Sequence, residues 1–335
     1  MSVQAGVDDG LPRAVIVAGP TASGKSALAL ALAERVGGTV INADSMQVYR
    51  ELRILTARPT PAEEARVPHA LYGVRSAAEP AHAAWFRQAA LAAMEAARTA
   101  GRVPILCGGT GMWLDALVHG IAAIPPVPPG VRAAARALAA AIGAPALHAR
   151  LAERDPATAA RLEPGDTQRV IRAWEVLEAT GEGLAAWWRR PAVPPAPWRF
   201  AQVRLDPPRA AVRAAIDARF VAMIEAGALE EVRALGALGL DPALPAMRAH
   251  GVPPLLAAIR GQVSLAEAIA RGQAMVRQYA KRQATWFRHH ALAPPQRTFT
   301  IHARIGAHTQ FSEERMADLF SFIDDFLLTR RIMAG

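Results

Sequence analysis

Two hydrophobic periods alternate along this chain. Short, nearly continuous apolar runs at residues 14–18, 39–43, 103–107, 199–205 and 297–301 predict strands buried in a sheet. Between them, apolar residues return at helical spacing over residues 27–36, 80–98, 208–226, 264–290 and 313–330. Strands alternating with helices predict an α/β fold built on a parallel sheet flanked by helices. In the helix at 80–98, Trp85, Phe86 and Met94 are candidate core residues. Ser264 is placed to cap the longest helix. On its wheel Met275, Tyr279 and Trp286 line an apolar side, and Arg277, Lys281 and Arg288 the opposite one. Arg271 and Arg282 flank the apolar stripe. A cation beside buried surface needs a partner, which makes Arg282 the better active-site candidate. Residues 50–80, broken by four prolines, read as loop with short helices, and residues 245–253 as a loop.

The strand pattern stops between two proline runs, Pro125 to Gly130 and Pro191 to Pro197. The intervening stretch is alanine-rich and predicts helices without strands. The expected organisation is a core in two parts, residues 1–125 and 198–335, around an inserted all-helical domain at 126–197. Within the insertion Asp166 or Thr167 caps a helix on which Arg169 and Arg172 share a face. With Arg132, Arg136, Arg150, Arg154 and Arg161 they make the insertion basic. Taken singly each fits a solvated helix face; as a group they fit a footprint for a phosphate backbone.

Composition narrows the setting. A length of 335 residues exceeds one average domain, and 52% hydrophobic residues support a sizeable core. The net charge of +9 favours a polyanionic partner. The single cysteine, Cys107, excludes a disulfide framework and a cysteine-rich zinc module. It fits a reducing compartment, and a cytoplasmic protein is expected. Residues 1–11 are polar and acidic, a frayed tail rather than a signal peptide. No apolar run is long enough to span a membrane. The sequence is silent on oligomeric state, and a monomer is the default expectation.

The chemistry concentrates at Gly19-Pro20-Thr21-Ala22-Ser23-Gly24-Lys25-Ser26, a G-x-x-x-x-G-K-S sequence between a strand and a helix. That context suits a loop whose backbone N–H groups cradle phosphates at a helix N-terminus. Lys25 would neutralise terminal phosphates and the Ser26 hydroxyl would sit on Mg²⁺. Lysine occurs only at positions 25 and 281, while arginine fills the other basic positions, so a flexible point charge is kept here. The second strand runs into Asp44-Ser45-Met46-Gln47-Val48-Tyr49. At the carboxyl end of a parallel strand, Asp44 falls beside the phosphate loop; a helix N-cap is its bland alternative. The third strand closes on Gly108-Gly109-Thr110-Gly111, either a close approach to a ligand or a tight turn. It lacks the terminal Asp that would hold magnesium water in a motor or switch ATPase.

The motifs GPTASGKS, DSMQVYR, ILCGGTG, DTQRVIRAWEV and KRQATWFR, in this order and spacing, resemble the tRNA dimethylallyltransferase (isopentenyltransferase) family over about residues 14–330. The resemblance implies a P-loop core whose loop holds the diphosphate of dimethylallyl diphosphate. It implies transfer of the allyl group to N6 of the adenosine 3′ of the anticodon, with the insertion clasping the anticodon stem-loop. It makes Asp44 the base and Lys25, Thr110 and Arg219 further catalytic residues. It places Asp44, Ser45, Met46, Gln47, Thr110, Arg132, Gln168, Arg169, Val170, Ile171 and Arg172 at the tRNA. It also places there the loop Arg248-Ala249-His250-Gly251-Val252-Pro253, and Lys281, Arg282 and Arg288. That loop departs from the family pattern, with Val252 where an aromatic follows the glycine. Two other readings remain: a small-molecule kinase using the same loop, and a non-catalytic RNA-binding module.

Overall fold

The first apolar run forms β1 (Arg13–Ala18), whose side chains point alternately into two separate cores. Ala14, Ile16 and Ala18 join one, Val15 and Val17 the other. A strand buried on both faces cannot afford polar positions, which is why the run reads as continuous. The computed structural model describes residues 10–190, 193–306 and 313–328. The expected tail up to residue 9, positions 191–192 of the second proline run and the last two residues of the predicted C-terminal helix lie outside them.

After β1 the chain forms α1 (Lys25–Val36), which stops at Gly37 in the left-handed conformation. β2 (Gly38–Asn42) follows, then α2 (Pro61–Arg66), where Thr60 and Glu63 make a reciprocal capping box. A two-residue β3 (His69–Ala70), α3 (Ala83–Thr99), β4 (Val103–Gly108) and α4 (Gly111–Val118) come next. The helices α5 (Pro129–Ile142), α6 (Ala144–Arg154), α7 (Pro156–Ala159), α8 (Thr167–Thr180) and α9 (Leu184–Trp187) belong to the insertion. The chain resumes with β5 (Arg199–Leu205), α10 (Arg209–Glu225), α11 (Ala228–Ala237), α12 (Val252–Ile259) and α13 (Leu265–His289). β6 (Thr298–Ile301) and α14 (Glu313–Leu328) finish it.

The six strands form one parallel sheet in the order β3-β2-β4-β1-β5-β6. One face packs against α3, α4 and α10–α13, through Phe86, Leu114, Leu255 and Phe287. The other packs against α1 and α14, through Leu28, Leu32, Leu319 and Ile323. The loops after β1, β2 and β4 leave the same edge of three adjacent strands. That edge is where open parallel sheets place ligands.

Residues Gly120–Pro195 make the second compact unit, starting at Gly120 rather than 126 and ending at Pro195 rather than 197. Ile121 and Val193 close its neck with reciprocal backbone bonds of 3.2 and 2.8 Å. Its own core joins Leu147, Leu151, Val170, Ala173 and Val176. Asp166 is the cap of α8, accepting from the Arg169 N–H at 3.2 Å.

Two expectations change. The predicted loop at 245–253 holds a 3₁₀ turn at 246–248, and α12 starts at Val252. Pro253 and Pro254 lie in the first turn of that helix, where a missing N–H costs nothing. The edge strand β3 carries too little pattern to be predicted.

Candidate active site

The phosphate-loop sequence turns sharply between β1 and α1. Gly24 has φ 93° and Ala22 φ 61°, and no side chain caps α1. The first N–H groups of that helix therefore have no side-chain acceptor among the described residues. A segment from the far end of the unit backs the loop. Ile305 N–H donates to the Ser23 carbonyl at 2.9 Å, and Arg304 Nε to the Ala22 carbonyl at 3.0 Å. Peptide planarity then turns the Gly24 N–H away from Ile305. A Cβ on Gly24 would stand 1.9 Å from the Ile305 carbonyl oxygen, so this glycine is required by conformation and by packing.

Lys25 is only 8% exposed. Burial lowers its pKa, Asp44 and then Cys107 act in the opposite sense, and Arg219 adds to the lowering. Arg219 of α10 donates from Nη2 to Thr21 Oγ1 at 2.6 Å. Its own pKa is lowered by burial and then by Arg304, with Asp44 opposing. Lys25 and Arg219, with the half-buried Arg304 beside them, outnumber the one carboxylate they share. Cations gathered this way suit an anion with more than one charge.

Asp44 follows β2 in a side-chain turn and does not cap a helix. Its Oδ1 accepts from the Met46 N–H at 3.0 Å. Asn42, fully buried, fixes the approach: its Oδ1 accepts from the Asp44 N–H at 2.8 Å, and its Nδ2 donates to the Asp44 and Leu71 carbonyls at 3.0 Å. Thr110 Oγ1 accepts from the Ser45 N–H at 2.9 Å and donates to Ser45 Oγ at 3.2 Å. The glycines around Thr110 make room for protein. A Cβ on Gly108 would meet the Ala43 backbone, one on Gly109 the Gln283 amide, and one on Gly111 the Trp286 ring, each at 2.1 Å.

A cavity of about 60 Å³ opens beside these groups. Its polar lining is Thr21, Asp44, Thr56, Arg219, His250 and Tyr279. The rest is apolar: Met46, Leu55, Ile216, Phe220, Met223 and Val276 among others. Glu231 shapes one wall, its carboxylate accepting from the N–H groups of Arg53, Ile54 and Leu55 at 2.6–2.9 Å. The His250 ring lies 4.5 Å from that of Tyr279 at a 50° tilt, and its buried Nδ1 has no hydrogen-bond partner among the described residues. Burial raises the Tyr279 hydroxyl's pKa, with Asp44 reinforcing it and bonds to Thr110 and Gln283 opposing.

The structure thus groups Thr21, Asp44, Met46, Arg219, Ala249 and His250 around one cavity, with Lys25 and Thr110 adjoining them. It places others differently. Val252 is 0% exposed in the core, because it is the inward residue at the start of α12. Val170 is likewise buried inside the insertion and Ile171 packs against that core. Gln47 is buried, donating from Nε2 to the Thr56 and Ala57 carbonyls at 2.9 and 2.8 Å. Arg282 is exposed, its guanidinium 5.8 Å from the Tyr279 ring centre. Arg277 is the half-buried cation instead, paired with Asp217. The buried stripe of α13 runs through Ala268, Gly272, Ala280, Gln283 and Phe287, about 60° from the stripe read off the wheel. Arg288 pairs with Asp206 at 2.8 Å, while Lys281 is exposed. Arg248 and Pro253 are exposed, and Gly251 is buried with φ 105°.

On the insertion Arg132, Arg136 and Arg150 are exposed and in no ion pair among the described residues, and Gln168 is exposed. Arg154 pairs with Glu178 and lies over Trp174, Arg169 pairs with Asp166 at 3.1 Å, and Arg172 with Glu175 at 3.3 Å. Among the described residues no group of three His, Cys, Asp or Glu could hold a metal, and no helix is long and apolar enough to cross a membrane. Ser26 is exposed at the start of α1. Cys107 is 2% exposed and free, its thiol pushed up to about 11 by burial.

Asn42, Gln283, Glu231, Arg304 and Phe220 were not singled out by sequence reasoning. Gln283 did carry a signal, a lone amide between Ala280 and Phe287 in an otherwise apolar stripe.

Comparisons with known proteins place the chain in a family. A family model described as IPP transferase matches residues 47–290, and one described as isopentenyl transferase matches residues 12–78. A tRNA dimethylallyltransferase of Granulibacter bethesdensis is 58% identical over 314 residues, covering 94% of this chain and 98% of the relative. One of Acidiphilium cryptum is 58% identical over 310 residues, covering 92% and 94%. Among solved structures, a tRNA isopentenylpyrophosphate transferase of Bacillus halodurans superposes with a TM-score of 0.66 at 29% identity, covering 96% of this chain and 98% of that one. A eukaryotic dimethylallyltransferase acting on tRNA shares the fold, with a TM-score of 0.75 at 24% identity over 94% and 79% of the two chains. A parallel sheet with these loops at one edge, a matching family model over most of the chain and relatives of this identity lead to one conclusion: the chain belongs to the IPP transferase family, the tRNA dimethylallyltransferases.

Proposed function

We propose that this chain moves the dimethylallyl group of dimethylallyl diphosphate to N6 of the adenosine 3′-adjacent to the anticodon in tRNA, releasing diphosphate. One observation carries the reading: Asp44, Thr21 and Arg219 line a single cavity whose remaining walls are largely apolar. Such a site suits a donor with a charged head and a hydrocarbon tail.

The N6 lone pair is delocalised into the purine ring, so the nitrogen attacks poorly. Asp44 accepts the N6 proton as the N6–C1 bond forms and the C1–O bond to diphosphate breaks. Charge then builds on the departing oxygens. Lys25, Arg219 and the free N–H groups at the start of α1 are already in place to meet it. Thr110 positions the turn that carries Asp44, through its bond with Ser45. The adenosine leaves its stack to reach the cavity; His250 and Tyr279 offer rings beside it. Arg132, Gln168, Arg169 and Arg172 of the insertion, with Arg248, Lys281, Arg282 and Arg288, hold the anticodon stem-loop. The hydroxyl of Ser26, an exposed residue whose side chain is bonded to the Cys107 thiol, is a hard oxygen donor and fits Mg²⁺, whose other ligands would be diphosphate oxygens and water. When bound, the ion neutralises charge on the leaving group. The setting proposed is a reducing cytoplasm, with the chain acting as a monomer.

Asp44→Asn tests the base, because its Oδ1 keeps the bond from Met46. Single-turnover transfer should fall by about 10²–10⁴ while tRNA affinity is retained. Retention of most of the turnover would reject the assignment.

A further inference from the structure

The largest apolar side chain of the cavity lining is Phe220 of α10, and it is held from behind. A Cβ on Gly272 of α13 would stand 2.2 Å from its Cζ, and one on Gly251, just before α12, 3.1 Å from the same atom. Two absent side chains from other elements make the recess in which this ring sits, 3% exposed. Gly251 also serves a left-handed turn, with φ 105°. Gly272 does not. It lies within a long helix, where glycine is the weakest former after proline. Its evident service is room for the ring. The cavity has about 60 Å³ of space, and Phe220 is the largest apolar group on its wall. A second isoprene unit has no place there while the ring holds its position.

We infer that Phe220, seated in the Gly251–Gly272 recess, sets the length of the transferred group at five carbons. The inference deepens the proposed function and rests on its donor. The chemistry with a longer donor is unchanged: the C1–O bond of geranyl diphosphate breaks as N6–C1 forms, diphosphate leaves, and the N6 proton passes to Asp44. Only the room for the tail differs. Gly272→Ala acts in the opposite sense, because its new methyl drives the ring toward the cavity while the helical backbone accepts alanine.

The test uses the full chain, unmodified tRNA and Mg²⁺, with dimethylallyl diphosphate or geranyl diphosphate as donor, read by nucleoside mass and initial rates. The wild type should add five carbons only. Phe220→Ala should add ten, raising the geranyl-to-dimethylallyl ratio of kcat/KM by about tenfold or more. Gly272→Ala should raise KM for dimethylallyl diphosphate and leave KM for tRNA unmoved. Melting curves report folding, and Phe220→Leu, which removes less volume, supplies the same ratio should the alanine variant unfold. A folded Phe220 variant with an unchanged ratio would overturn the inference, as would a wild type that uses both donors equally. A wild type that modifies tRNA with neither would strike the donor assignment itself, and the inference with it.

Discussion

Gln283 and Thr21 are 262 residues apart in sequence, yet the Gln283 side-chain carbonyl accepts the Thr21 N–H at 2.8 Å. The same amide donates to the Gly109 carbonyl at 2.9 Å, so one buried side chain ties the loop after β1 to the turn after β4. Gln283→Leu keeps most of the volume, strands the Thr21 N–H and leaves the Gly109 carbonyl only its 3.2 Å bond from the Gly111 N–H. We expect a loss of roughly 1–3 kcal/mol per stranded group in urea unfolding, with a raised KM for dimethylallyl diphosphate. Unchanged stability and KM would show that the tie is incidental.

Gly24 carries a different constraint. Its φ of 93° and the Ile305 carbonyl 1.9 Å from any Cβ leave alanine no position without moving the loop. Gly24→Ala should cost roughly 1–3 kcal/mol in backbone strain alone and remove calorimetric binding of dimethylallyl diphosphate. Normal binding by the variant would mean that the 302–306 segment yields easily and does not fix the loop.

Much of this site was legible from the chain, for a physical reason. The phosphate-loop spacing, Asp44 after β2 and the Gly-Gly-Thr turn after β4 depend on local sequence, and parallel strands bring their ends together. The supports were not legible. Asn42, Glu231, Gln283 and Arg304 act through contacts set by tertiary packing, and a polar residue in a half-apolar stretch does not announce its partner. The wheel of α13 misplaced Arg282 because half-buried Met275, Tyr279 and Trp286 count as fully apolar in sequence. For the turn at Gly108–Gly111 the sequence leaves a close approach to a ligand and a tight turn both open. Its glycines, however, meet Ala43, Gln283 and Trp286.

His250 gives the fold a pH dependence. Burial first, then Arg282, holds its imidazole below the ordinary value, with Asp44 opposing. The unfolded chain therefore takes up this proton at higher pH than the folded one. The stability contribution is complete above the unfolded value of about 6.5 and is lost as pH falls through the folded one. The melting temperature of the wild type should drop more between about pH 7.5 and about pH 5.5 than that of His250→Gln. Parallel curves would place the imidazole in water.

On the insertion, Arg132 is exposed without an ion pair among the described residues, and Arg169 is held only by a surface carboxylate. Removing both as Arg132→Ala with Arg169→Ala should weaken tRNA binding. It should also flatten the slope of log K against log salt by roughly one to two. An unaltered slope would move the phosphate contacts elsewhere on the chain.

Incubating the purified chain with unmodified tRNA, Mg²⁺ and dimethylallyl diphosphate, followed by nucleoside mass analysis of the anticodon loop, tests the central claim most directly. We expect one five-carbon addition on the adenosine that follows the anticodon, with diphosphate released in equal amount. An unmodified loop, or the same mass on another nucleoside, would contradict it.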